Sequence, residues 1–142
     1  MLTGKKIVLG VSGGIAAYKM ANVASMLSKL HADIHVVMTE NATHFITPET
    51  FEVLTGNHCY TDTFDRCMEL HVPHIALGTQ ADAILIAPAS ADVVGKIANG
   101  IADDMLTTCV LPATCPVMLA PSMNVHMYEN PIVQDNMKKL AS

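Results

Sequence analysis

Four short apolar runs along this chain each end in small or polar residues, and amphipathic segments fill the spaces between them. The runs cover residues 7–11, 32–38, 83–87 and 116–120, which is the length of a strand. Short continuous runs of this kind are typical of strands that are buried on both faces of a parallel sheet. Pro88 is expected to end the third strand, because proline lacks the N–H that a strand ladder needs.

Helical periodicity fills the intervals between these strands. A helix is predicted over residues 15–30, with a core-facing stripe formed by Val23, Met26, Leu27 and Leu30. Further helices are predicted over residues 48–56, 74–80, 92–98, 105–111 and 131–140, and a loop is predicted over 121–128. Strands that alternate with helices predict an α/β protein with a doubly wound parallel sheet of Rossmann-like topology, in a single domain over residues 1–142.

Charged residues make up 15% of the 142 positions, below the share of about 25% that is usual for soluble domains. Two interpretations stay open: part of the surface is buried in a homo-oligomer, or the chain has a large apolar core. The net charge of −5 and the lack of a basic run argue against nucleic acid or an anionic membrane as a partner. No apolar run is long enough to span a membrane. Four cysteines without CxxC spacing, and an N-terminus unlike a signal peptide, predict reduced thiols in a cytoplasmic protein.

Small polar residues follow the first three predicted strands, at the edge where an open α/β sheet usually binds its ligand. Ser12 and the two glycines after it precede a helix, so backbone N–H groups and a hydroxyl could hold a phosphate there. Thr39 offers another hydroxyl after the second strand, and Ser90 and Asp92 after the third are both helix-capping residue types. The glycines form neither GxGxxG nor a P-loop, so a dinucleotide is not the first choice, and a plain tight turn is the alternative.

Two side chains near this edge suit acid–base or carboxylate chemistry. His74 begins the helix before the third strand and could act as a general base, or it could simply bond a backbone carbonyl at the helix start. His71 and His74 form HxxH without a third ligand at a recognisable spacing, so no metal is predicted. Asn124 follows the fourth strand, and its amide suits a carboxylate, while Met123 beside it suits the face of an aromatic ring. An ordered loop with core methionines is the alternative.

Five segments occur in a fixed order over nearly the whole chain: SGGIAAYK at 12–19, HI at 74–75, PASAD at 88–92, KIANGIADDMLTT at 96–108 and PSMNVHMY at 121–128. Together they closely resemble the homo-oligomeric flavin-containing cysteine decarboxylases. The HI, PASAD and PSMN segments are specific as a set, and none is specific alone. The branch of that family that acts on 4′-phosphopantothenoylcysteine in coenzyme A biosynthesis is the most similar.

The resemblance implies a three-layer flavoprotein fold with a bound FMN. It implies cofactor contacts from Ser12, Gly13, Gly14, Thr39, Pro88, Ala89, Ser90, Asp92 and Met123. It also implies that His74 is the catalytic histidine and that Asn124 holds the substrate carboxylate. A trimer, often built up to a dodecamer, is implied, with FMN near the subunit contact.

The reaction implied by the resemblance is an FMN-dependent oxidative decarboxylation. A thiol beside a carboxylate offers no electron sink, so oxidation of the thiol to a thioaldehyde must precede the loss of CO2. The cysteine-bearing flap of the family would follow Ser142. We therefore expect a chain of these 142 residues to bind FMN but to return electrons poorly to the product.

Two positions depart from the family pattern, and three other functions stay open. Ser122 stands where alanine is common, and Asp92 stands where asparagine is frequent; a carboxylate near a phosphate is expected to bond a neutral donor or to cap its helix. The alternatives are a peptidyl-cysteine decarboxylase of lantibiotic processing, a flavin prenyltransferase and a non-catalytic FMN-binding regulatory protein. A prenyltransferase should need basic residues for its phosphate, and the chain has only 8 lysines and arginines.

Overall fold

The computed structural model describes residues 1–64 and 73–142, and for residues 73–75 it describes the backbone alone. Within these residues four strands form one sheet: β1 (Lys6–Val11), β2 (Asp33–Met38), β3 (Ala83–Ala89) and β4 (Val117–Pro121). The order across the sheet is β2-β1-β3-β4, and each neighbouring pair is parallel. Because the chain passes from β1 to β2 on one side and then from β2 across β1 to β3 on the other side, a topological switch point lies between β1 and β3.

Helices connect consecutive strands in the described part of the chain. The first connection holds a 3₁₀ helix at Ile15–Tyr18 and α1 at Lys19–Lys29. The second holds a 3₁₀ helix at Asn41–His44, α2 at Pro48–Thr55 and α3 at Pro73–Gln80. The third holds α4 at Ala91–Ala98 and α5 at Met105–Val110, and after β4 come α6 at Val125–Tyr128 and α7 at Pro131–Ala141.

Two separate hydrophobic clusters cover the two faces of the sheet. Val8 and Leu9, which are neighbours on β1 and fully buried, belong to different clusters, as alternating positions of a doubly covered strand should. Leu9 packs with residues of α1 and α2, including Ala24 and Phe51, and Val8 packs with residues of α3, α4 and α5. The predicted α/β class, the doubly wound parallel sheet and its three layers are therefore confirmed.

The end of β3 differs from the prediction. Pro88 does not end the strand, since β3 continues to Ala89. The Ala87–Pro88 peptide bond is cis. Ile86 pairs with Leu119 and Ala89 with Pro121, so β3 contains one residue more than β4 over this stretch. A proline is tolerated at such an irregularity because no ladder hydrogen bond is required of it there.

The face of the first helical segment that is buried differs from the predicted one. Met26 and Leu30 are 57% and 45% exposed, whereas Ala17 and Ala24 are fully buried and Leu27 packs beside them. Ala17 in the 3₁₀ helix and Ala24 in α1 let these two helices approach the sheet closely, so their small side chains rather than the larger apolar ones define the contact face.

Two further segments can be compared with their predictions. The segment 121–128, predicted as a loop, contains the short helix α6. The helix starts at Pro48, Asp104 and Pro131 agree with their capping signals. Capping residues act locally, which is why the sequence locates them well.

Candidate functional site

Loops that follow β1, β3 and β4 surround one cavity of about 420 Å³ at the carboxyl edge of the sheet. We call it the switch-point cavity. Its lining includes five residues of the predicted cofactor and substrate sets: Gly13, Gly14, Ser90, Met123 and Asn124. The volume falls within the range of about 300–1,000 Å³ that is typical of small-molecule and cofactor sites. Open α/β sheets bind their ligands at this place, because the loops on either side of the switch point separate there.

Ser12 ties together two of the loops that line the cavity. It is 1% exposed, and its hydroxyl donates to the carbonyl of Pro88 and accepts the backbone N–H of Ser90 at 2.9 Å. The backbone N–H of Ser12 also donates to Pro88 at 3.3 Å. Pro88 and Ala89 are buried as well. The Ser12 hydroxyl therefore has its hydrogen bonds within the protein. Ser12, Pro88 and Ala89 are buried beneath the loops and stabilise their positions.

Two sets of backbone N–H groups at this cavity have no acceptor in the described part of the chain. One set comes from Gly13, Gly14 and Ile15, at the start of the 3₁₀ helix, and the other from Ala91 and Asp92, in the first turn of α4. The Ser90 side chain caps α4 by accepting the Val93 N–H at 3.3 Å. Unpaired N–H groups and the positive end of a helix dipole attract an anion. Among the described residues none that lines the switch-point cavity is acidic, so none of them opposes this attraction from within it.

The two glycines of the first loop serve different purposes. A Cβ on Gly13 would lie 2.6 Å from the Cβ of Asn41, so only glycine lets the loops after β1 and β2 approach this closely. A Cβ on Gly14 would meet no atom within 4 Å, and its backbone is extended, with a φ of 170°. Gly14 therefore leaves open space at the cavity, which a ligand can occupy.

Asn124 is an exposed residue, and the oxygen of its side-chain amide has a hydrogen-bond partner. Its Oδ1 accepts the backbone N–H of His126 at 2.8 Å and so caps α6. No described residue accepts a hydrogen bond from its Nδ2, and Asn124 lines the switch-point cavity. The cap fixes the side chain while the NH2 group can donate to a carboxylate without adding charge to the site.

Thr39 and Asp92 line a different cavity. Thr39 is 7% exposed, and its hydroxyl accepts the Ala42 N–H at 3.2 Å. This second cavity, of about 250 Å³, is also lined by Lys96 and three further carboxylates, those of Glu40, Asp103 and Asp104. We call it the acidic cavity. The structure thus places Thr39 and Asp92 in a different cavity from the one that Gly13, Gly14, Ser90 and Met123 line.

A larger cavity of about 490 Å³ shares Glu40, Asp103 and Asp104 with the acidic cavity and adds Asp62 and Phe64. Its carboxylates suit a cationic or hydrogen-bond-donating group better than a phosphate. The anion-binding potential of the carboxyl edge is therefore concentrated in the switch-point cavity.

The backbone of His74 lies in the first turn of α3, and its side chain is outside the described residues. Gln80, at the other end of α3, accepts a hydrogen bond from Lys6 Nζ at 3.4 Å, so that end lies at the amino edge of the sheet. His74 precedes Gln80 by six residues, or about 9 Å along the helix axis. The backbone of His74 is thus displaced toward the carboxyl edge, where the cavities lie. His71 falls outside the described residues.

Two titratable groups depart from their ordinary behaviour near this edge. Burial raises the pKa of the Cys109 thiol to about 12, with a smaller contribution from the charge of Asp104. The Cys109 thiol is therefore protonated at neutral pH and is not a nucleophile. Burial lowers the pKa of Lys96, but hydrogen bonds and charges from Asp103 and Asp92 outweigh that effect and raise it overall. Among the described residues no group of His, Cys, Asp or Glu could hold a metal.

Sequence reasoning missed several residues at this edge. Ile15 and Ala91 line the switch-point cavity through backbone groups, and Ser122 also lines it. Backbone contributions leave no signal in the side-chain sequence beyond the position of the helix start. Lys96 was also missed, although its spacing of four residues from Asp92 is a recognisable signal of a helical ion pair.

The fold and the cavity define a class: an α/β protein that presents unpaired amides around a nucleotide-sized cavity at a sheet switch point. The match to the family model named Flavoprotein extends over residues 1–142, and the chain belongs to that family. No helix among the described residues is long and apolar enough to cross a membrane.

Three relatives illustrate the family. The chain is 49% identical over 140 residues to the coenzyme A biosynthesis bifunctional protein CoaBC of Bacillus subtilis, a match that covers 99% of this chain and 34% of that protein. The crystal structure of the FMN-dependent cysteine decarboxylase SpaF superposes with a TM-score of 0.92 at 37% identity, covering 99% of this chain and 81% of SpaF. A PPC decarboxylase mutant complexed with pantothenoylaminoethenethiol superposes with a TM-score of 0.84 at 31% identity, covering 96% of this chain and 77% of that one. The chain therefore spans about a third of the curated relative that it matches.

Proposed function

We propose that this chain binds FMN in the switch-point cavity and catalyses the decarboxylation of 4′-phosphopantothenoylcysteine in coenzyme A biosynthesis. One observation carries the proposal: N–H groups of Gly13, Gly14, Ile15 and Ala91 that are unpaired within residues 1–64 and 73–142 surround a cavity of about 420 Å³, and no carboxylate of those residues lines it. The similarity to CoaBC, to SpaF and to a PPC decarboxylase supports the same function.

The residues present fit an FMN. The amides at the two helix starts suit its phosphate, and the open space beside Gly14 admits a bulky group. Met123, which is partly buried at the cavity wall, suits the face of an aromatic ring. Ser12, Pro88 and Ala89 contribute by fixing these loops, and we retain Thr39 and Asp92 as cofactor residues that act from the neighbouring cavity.

The bound flavin would oxidise the substrate thiol and later return the electrons, and the side chains of this chain would position the substrate and move its proton. Asn124 is proposed to hold the substrate carboxylate through Nδ2, since its Oδ1 already accepts the His126 N–H. A neutral amide holds a carboxylate and still lets it leave as CO2, because no full positive charge stabilises the ground state. His74 is proposed to accept the thiol proton.

The choice of substrate rests on the relatives. The identity of 49% to CoaBC exceeds the 28% identity to the peptidyl-cysteine decarboxylase EpiD, and this difference favours the small thiol acid over a peptide that ends in cysteine. The EpiD superposition, with a TM-score of 0.84, keeps the peptidyl substrate as the second candidate.

We propose further that the protein is a cytoplasmic homo-oligomer, a trimer or a dodecamer built from trimers. Ile15, Tyr18 and Met26 are 81%, 59% and 57% exposed in the single chain. Large apolar side chains exposed to this extent favour coverage by another copy of the chain. Ile15 also lines the switch-point cavity, so a copy seated on it would enclose the site.

One experiment separates the candidate functions. The purified chain is loaded with FMN and incubated separately with 4′-phosphopantothenoylcysteine and with a peptide that ends in cysteine, and CO2 release and product mass are measured. Release from the small substrate supports the proposal. Release from the peptide alone supports the second candidate, and FMN binding without release from either substrate supports a regulatory flavoprotein.

A further inference from the structure

Lys96, in the last turn of α4, lies between two acidic side chains. Its Nζ is 3.1 Å from Asp92 Oδ2, one helical turn earlier, and 3.1 Å from Asp103 Oδ1, in the segment before α5. The Lys96 side chain is 22% exposed, whereas those of Asp92 and Asp103 are 66% and 57% exposed. The ammonium group is therefore the most enclosed member of this charged trio.

Asp92 stands where a carboxylate would repel a bound phosphate. It is the second residue of α4, and the N–H groups of Ala91 and Asp92 in the same turn have no acceptor among the described residues. Ala91 lines the switch-point cavity, and Asp92 lines the acidic cavity next to it. An unpaired negative charge in this turn would cancel much of the attraction that the helix start exerts on an anion.

The surroundings add to this repulsion. Glu40 and Asp104 line the same acidic cavity as Asp92 and Asp103, and Lys96 is the only basic residue that the described part of the chain contributes to its lining. The trio of Asp92, Lys96 and Asp103 carries a net charge of −1, from two carboxylates and one ammonium. Without Lys96 it would carry −2 next to the phosphate-binding turn.

We propose that Lys96 is a positioning residue for the flavin phosphate: it neutralises and holds the Asp92 carboxylate, which keeps the first turn of α4 attractive to an anion. The inference rests on the proposed FMN function and adds a residue that lies outside the switch-point cavity. It also explains how the chain accommodates aspartate at position 92, because the carboxylate has a cationic partner within its own helix.

The test compares FMN with riboflavin, which lacks the phosphate, by titrating the flavin-free protein and following flavin fluorescence. Lys96→Gln changes the charge of the trio to −2 and is expected to weaken FMN binding about three- to tenfold, since the added repulsion acts across several ångströms of partly solvated protein. Riboflavin binding is expected to stay as in the parent. Raising the KCl concentration to about 0.5 M should shrink the FMN effect, because the Debye length falls to about 4 Å.

Two further variants complete the design. Asp92→Asn combined with Lys96→Gln restores the parental charge of −1 and is expected to restore FMN affinity. Lys139→Gln is the control, because it also removes one positive charge. Lys139 lies on α7 and donates to Asn99 Oδ1 at 3.1 Å, and its substitution should leave FMN affinity unchanged. The thermal midpoint of each flavin-free variant reports any separate effect on folding.

Equal losses for FMN and riboflavin in Lys96→Gln, or a double variant as weak as the single one, would overturn the inference. Either result would mean that Lys96 acts by holding the segment at Asp103 rather than by neutralising Asp92. Failure of the parent protein to bind FMN would contradict the proposed function instead.

Discussion

The backbone N–H of Ser90 donates to the hydroxyl of Ser12 at 2.9 Å, which joins the end of β3 to the end of β1 across the switch point of the sheet. The same hydroxyl donates to the carbonyl of Pro88. Ser12 is thereby connected to Pro88, within the irregularity at the end of β3, and to Ser90 just after it. The two loops that line the switch-point cavity are joined by this side chain and by the bond from the Ser12 N–H to the Pro88 carbonyl.

Ser12→Ala removes both hydrogen bonds from a residue that is 1% exposed. The loss of the partner for the partly buried Ser90 N–H is expected to lower the free energy of unfolding by about 1–3 kcal/mol. FMN affinity should fall as well, because the loops after β1 and β3 keep only the backbone bond from the Ser12 N–H to the Pro88 carbonyl. Thermal unfolding and flavin titration measure the two effects.

Ser28→Ala is the matched control for this substitution. It removes a hydrogen bond of 3.1 Å from Ser28 Oγ to the carbonyl of Leu54, which connects α1 to α2. It should reduce stability and leave FMN affinity as in the parent. If Ser12→Ala likewise lowered stability but left FMN affinity unchanged, the role of Ser12 at the cavity would be refuted.

Alanine substitutions at Gly13 and Gly14 should have opposite effects. Gly13→Ala places a Cβ 2.6 Å from the Cβ of Asn41, so the loops must separate and stability must fall. Gly14→Ala meets no protein atom within 4 Å, so stability should be retained while the added methyl group reduces the space for FMN. Thermal midpoints and FMN titrations of both variants check this pair of outcomes. A Gly14→Ala protein with parental FMN affinity would place the cofactor elsewhere.

Asn124→Asp should still bind FMN when the cofactor is supplied in excess, though more weakly because the new carboxylate lines the switch-point cavity, and it should lose decarboxylation. Aspartate caps a helix as asparagine does, so the bond to the His126 N–H is retained, but the NH2 donor is replaced by a negative charge that repels the substrate carboxylate. Asn130→Asp is the control, because Asn130 caps α7 through the Ile132 N–H at 2.9 Å. CO2 release should be lost in the first variant and retained in the second, and equal activity of the two would remove Asn124 from the mechanism.

His74→Asn should also keep FMN and lose CO2 release. Asparagine retains polarity at the start of α3 but cannot accept a proton near neutral pH. The measurement is CO2 release by a variant whose visible flavin spectrum matches that of the parent. Unchanged CO2 production would show that another group accepts the thiol proton.

The sequence pattern predicted the fold well because its signals are local. Continuous apolar runs mark the buried strands, and capping residues such as Pro48 and Asp104 mark helix starts within a residue or two. The error at Pro88 arose because a register shift between β3 and β4, which allows proline inside the strand, depends on the pairing of distant segments. The error in α1 arose because the fully buried Ala17 and Ala24 carry a weaker hydrophobic signal than the exposed Met26.

The site was predictable only in part. The position of Gly13, Gly14, Ser90 and Asn124 follows from the strand ends, which a parallel sheet brings to one edge. The position of Thr39 and Asp92 in a second cavity depends on how the loops after β1, β2 and β3 pack in three dimensions, which no local pattern encodes. Backbone amides contribute to the cavity without any side-chain signal, so Ala91 could be found only in three dimensions.

The most direct test of the central claim is the identity of the chromophore that the purified protein carries or takes up. We expect a yellow protein that holds one flavin per chain, released on denaturation and identified by mass spectrometry as FMN. A colourless protein that takes up no FMN when supplied with an excess would contradict the account.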